Sequence, residues 1–89
     1  MKVKDLEKGM LLEAVKGFSI IAGSWLRVEP SWAIKFKKTS GFALYIGTKK
    51  DVGASAKHWS DKYVLYNNEI FPVDPSSWRY MQPANKHHH

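Results

Sequence analysis

The dipeptide Asn67-Asn68 constrains this chain more than any other feature. It stands between two β-rich runs, Tyr63-Val64-Leu65-Tyr66 and Glu69-Ile70-Phe71-Pro72-Val73. Asn tolerates the left-handed backbone that a two-residue hairpin turn demands at both central positions, so the pair predicts an antiparallel hairpin. The rest of the chain offers more runs of the same kind. Met10 to Val15 follows a polar turn, Asp5 to Gly9, in which Gly9 supplies a positive φ. Lys16-Gly17 breaks that run, Phe18 to Ala22 forms a second, and Trp25 to Glu29 forms a third that Pro30 stops. Phe42 to Gly47 (FALYIG) is apolar almost throughout and reads as a strand buried on both faces or nearly so. Thr48 to Gly53 reads as an exposed loop. Near the C-terminus, Asp74 caps a turn begun by Pro75, Ser76-Ser77-Trp78 reads as a single 3₁₀ turn, and Arg79-Tyr80-Met81 as a last short strand.

Residues 31 to 41 read in two ways. Trp32, Ile34 and Phe36 alternate with Ala33, Lys35 and Lys37, which is the period of a half-buried strand and the preferred reading. A short helix also fits, with Pro30 in its first turn, Trp32 and Phe36 on one face and Gly41 as its cap.

At 89 residues the chain forms one small domain, placed over residues 1–85. Its apolar fraction of 44% and aromatic fraction of 13% are enough for a core, which excludes a disordered tail. It contains no Cys, so disulfides, thiolate zinc sites and thiol catalysis are excluded. Lys86 to His89 read as the remnant of an affinity tag, which leaves His58 as the only native histidine. The first 17 residues alternate charged and apolar positions and offer neither a signal peptide nor a membrane span, so a cytoplasmic location is expected.

The order of elements points to an all-β fold of five or six short strands with a single-turn 3₁₀ helix before the last strand, and it resembles a small SH3-like barrel. The residues that carry the resemblance are Asp5 to Met10 (DLEKGM), similar to the polar turn that opens the first strand of such barrels, and Ile70 to Tyr80 (IFPVDPSSWRY), similar to their strand, one-turn helix and closing strand. The resemblance implies a binding scaffold, since this superfold binds proline-rich peptides, RNA, DNA or protein partners and is seldom catalytic alone. Residues 16 to 24 (KGFSIIAGS) contain no acid, which argues against a proline-peptide reader. The small, compact style also resembles that of small uncharacterised bacteriophage proteins.

Charge narrows the function. The 14 Lys and Arg against 8 Asp and Glu give a net +6, and the excess sits in residues 30–62, with seven bases and two acids. Lys35, Lys37, Lys38, Lys49, Lys50 and Lys57 are therefore the candidate phosphate contacts of a nucleic-acid surface. Trp32 or Trp59 beside them would stack on unpaired bases. The same lysines also fit a solvated strand edge that resists pairing. Trp25 and Trp78 read as core packing, whereas Trp59, in the polar stretch Lys57-His58-Trp59-Ser60-Asp61, is either a loop anchor or an exposed hot spot. The second function class is accordingly a protein-interaction module, a phage or host accessory factor, that docks through exposed aromatics.

No residues support catalysis. His58, Ser60 and Asp61 have the residue types of a hydrolytic triad but are crowded into four consecutive positions, which prevents its geometry. One native His and no Cys argue against a metal, and the glycines are scattered singly rather than grouped in a phosphate loop. A non-enzymatic module without cofactor is expected, a monomer or weak homodimer whose partner is nucleic acid or a protein.

Overall fold

The computed structural model describes residues 2–33, 41–53 and 61–84. Among them are seven strands in two antiparallel sheets: β1 (Leu11–Ala14), β2 (Phe18–Ala22), β3 (Leu26–Pro30), β4 (Ala43–Thr48), β5 (Lys62–Tyr66), β6 (Glu69–Pro72) and β7 (Met81–Pro83). The larger sheet has the order β6-β5-β4-β1-β7, and β2 pairs with β3 in the smaller one. The small all-β fold is as expected, with seven strands where the sequence predicts five or six. Leu12, Ile20, Leu26, Val64, Val73 and Met81 lie at its centre, each at 1% exposure or less.

The hairpin forms as predicted. Tyr66 pairs with Glu69, and Asn67 and Asn68 take φ of 53° and 66°. Gly9 and Gly17 also adopt positive φ, at 90° and 88°, in the turns before β1 and β2.

Four expectations need correction. β4 is buried on one face only, through Ala43, Tyr45 and Gly47, while Leu44, Ile46 and Thr48 are half-buried and Phe42 is 54% exposed. The core lies against one side of the sheet, and the period of two sends alternate apolar residues to the less covered side. Ile46 is also the extra residue of a bulge, because Tyr45 opposes Val64 whereas Gly47 opposes Tyr63. Second, the loop expected from Thr48 begins with a single helical turn, α1 (Lys49–Val52), ended by Gly53 at φ 69°. Third, the 3₁₀ helix before the last strand runs six residues, Pro75–Tyr80, so the strand is Met81–Pro83 rather than 79–81. Asp74 caps that helix as expected, accepting from the backbone N–H of Ser76 at 3.0 Å. Fourth, Ser31–Ala33 is a 3₁₀ turn and not the start of a strand; residues 34–40 lie outside the described residues. Trp78 is in the core at 4% exposure as expected, and Trp25 is half-buried.

The sheets meet at one bridge, between Leu26 and Val73, which run parallel there. Proline explains why it is single. Pro72 lacks the N–H that would carry a parallel ladder back toward Ser24, and the helix starting at Pro75 turns the chain away on the other side.

The outer flank of β3 is filled by that helix. The Leu26 carbonyl accepts the Asp74 N–H at 2.9 Å, the Val28 N–H donates to the Ser77 hydroxyl at 2.9 Å, and Pro30, next along the same flank, has no N–H to offer. β7 shows the same device. Met81 gives its N–H to the Trp78 carbonyl, and Pro83, which has no N–H, opposes Leu12 at a position whose backbone faces away from β1.

Candidate nucleic-acid interface

Trp32 is the most exposed large apolar side chain among the described residues, at 86%. Its turn is fixed by short-range geometry and by bonds to a distant part of the same chain. The Ser31 N–H donates to the Gly17 carbonyl at 2.9 Å, extending the β2–β3 pairing by one step, and the Ser31 and Ser19 hydroxyls are 2.8 Å apart. Ser19 is buried at 1% exposure. The indole thus stands in solvent on a pinned backbone, which lowers the ordering cost of a contact with a ligand.

Gly17 also borders a cleft of about 420 Å³ lined by residues 13–18, Gly41 and Phe42. Both glycines of its lining have positive φ, 88° and 145°, a backbone that favours glycine, and no atom stands within 4 Å of where a Cβ would sit on either. Phe18, in the wall, stacks on Tyr80 with ring centroids 4.4 Å apart. Glu13 accepts from the Gln82 amide at 2.7 Å, and Lys16 is exposed at the turn.

Of the other predicted contacts, Lys35, Lys37, Lys38, Lys57 and Trp59 lie outside the described residues, as do His58 and Ser60. Lys49 and Lys50 open α1, at the far end of β4 from Phe42 and about 20 Å of strand away. The structure therefore does not bring these two lysines to Trp32. It brings Lys16 and Phe42 to that end instead, and sequence reading missed both. Lys16 reads as a mere strand breaker, and Phe42 as the first residue of a buried run. The bond from Ser31 to Gly17 sets Trp32 beside Lys16, and the pairing of β1 with β4, Leu12 opposite Ala43, sets Phe42 there.

Lys49 and Lys50 neighbour an acid that offsets part of their charge. Asp51 accepts from the Thr48 N–H at 2.9 Å, from the Thr48 hydroxyl at 3.1 Å and from Lys8 at 2.9 Å. Hydrogen bonds from the Thr48 backbone, then from Lys8 and the Thr48 hydroxyl, lower its pKa from 3.8 to about 2. Close contact is possible because residue 47 is Gly, at φ 120°, where a Cβ would fall 2.5 Å from the Asp51 carboxylate. The carboxylate is favoured by folding, so its contribution to stability is complete above about pH 4 and is lost as the pH falls toward 2. Asp51→Asn should flatten that part of the pH dependence of the melting temperature. An unchanged acid slope would show that other carboxylates set it.

No group of three or more metal-ligating side chains occurs among the described residues, and none of their helices is long and apolar enough to cross a membrane. Asp61 is exposed and 3.3 Å from Lys62.

The fold defines a small all-β protein in which, among the described residues, the exposed aromatics Trp32 and Phe42 stand toward the same end of β4. Comparison with protein-family models, with curated proteins and with solved structures finds no match.

Proposed function

We propose that the domain is a non-catalytic binding module for single-stranded nucleic acid. One observation carries the reading: an 86% exposed tryptophan on a pinned turn, three residues before Lys35-Phe36-Lys37-Lys38. Stacking needs an open, rigid aromatic face, and phosphate contacts need bases close to it. Lys16, at the same end of the molecule, adds to the positive charge there. A protein partner docking on Phe42 and the half-exposed Ile70 is the second reading, and salt separates the two.

Fluorescence anisotropy of a labelled single-stranded oligonucleotide at pH 7.5, where the terminal histidines are neutral, supplies the test. With about four lysine–phosphate contacts, affinity should fall roughly 50-fold between about 50 and 200 mM salt. The double variant Lys35→Glu, Lys37→Glu should lose most binding and most of the salt slope. Binding absent at low salt, or insensitive to salt, would overturn the nucleic-acid reading in favour of a protein partner.

A further inference from the structure

Resting on that reading, we infer that the cleft between the β1–β2 turn and the start of β4 holds one unpaired base that carries an exocyclic amine. The space is built rather than incidental. Its lining includes Gly17 and Gly41, at each of which a Cβ would meet nothing within 4 Å, and its 420 Å³ lies in the range of small-ligand sites. The stacked rings of Phe18 and Tyr80 stiffen one wall. Phe42, 54% exposed beside it, offers a ring face to a base.

Polar chemistry selects which base. Glu13 is the acid of the lining, and it accepts one bond from Gln82. A carboxylate has about four acceptor positions, so capacity remains for the amine of cytosine, adenine or guanine. Thymine has no exocyclic amine: its exocyclic polar groups are carbonyl oxygens that the carboxylate repels, and its one donor, the ring N3–H, lies between them. Lys16, exposed at the turn, complements the phosphate attached to the bound nucleotide. A duplex cannot place a paired, stacked base in such a site, so the cleft also favours single strands over double.

The test compares oligodeoxycytidylate and oligothymidylate of about ten nucleotides, a length within the reach of one small domain. The wild type should bind the cytidine strand about five-fold more tightly, the effect of one hydrogen bond. Glu13→Gln should abolish that preference without weakening thymidine binding. Phe42→Leu, which keeps apolar volume but removes the ring, should weaken cytidine binding about ten-fold, and Phe42→Tyr should restore it. Equal affinities for the two strands, with Phe42→Leu neutral while Trp32→Ala weakens both, would overturn the pocket and leave the nucleic-acid reading standing. No binding of either strand would overturn both together.

Discussion

Replacing Trp78 by Ala should lower the unfolding free energy by about 3–5 kcal/mol, the largest effect expected of any single substitution here. Trp78 is 4% exposed and meets the Tyr45 ring edge-on at a centroid distance of 6.2 Å. It is also part of the helix Pro75–Tyr80, whose Ser77 hydroxyl satisfies the Val28 N–H and whose start follows the bridge between the sheets. Removing the indole therefore leaves a cavity and loosens the element that joins the two sheets. A domain of this size has about 5–15 kcal/mol of stability in all, so the variant should lose a large fraction of it. Urea denaturation followed by far-UV circular dichroism gives the number. A loss under about 1 kcal/mol would mean that the indole is not a core anchor.

The second large effect concerns binding and leaves the fold alone. Trp32→Ala should change stability by less than about 0.5 kcal/mol, because the side chain is 86% exposed and the turn is held by Ser31. Its affinity for single-stranded oligonucleotide should fall by about 1–3 kcal/mol, from the loss of one stacking platform. Salt dependence should stay as steep as in the wild type, since no phosphate contact is removed. That separation distinguishes the tryptophan from the lysines. Unchanged affinity would remove Trp32 from the interface.

What could be read from the sequence is what is encoded within a few residues. Asn67-Asn68, Gly9, Gly17 and Asp74 each act on their own turn, and each is where it was expected. The second strand also matches, Phe18 to Ala22. Failures fall where distant chain segments decide. The length of the helix before β7 depends on Ser77 reaching Val28, 49 residues away, and the burial of β4 depends on what covers each face. One miss had a local signal. Thr48 and Asp51 stand three apart, the spacing of a helix start, and they open α1. The gathering of Trp32, Lys16 and Phe42 could not be read at all, because it depends on a backbone bond between Ser31 and Gly17 and on the pairing of β1 with β4, neither of which leaves a trace in the residue types.

The prolines and the helix Pro75–Tyr80 also bear on the company this protein keeps. An incoming strand that tried to pair with β3 or β7, one border of each sheet, would find the Leu26 carbonyl and the Val28 and Met81 N–H groups already committed, and no N–H at Pro30 or Pro83. Growth by main-chain templating, the route by which small β proteins pass into fibrils, is hindered at those borders. Recognition at the β3 and β7 borders therefore falls to side chains, and main-chain pairing with another molecule is directed to the remaining borders, β2 and β6.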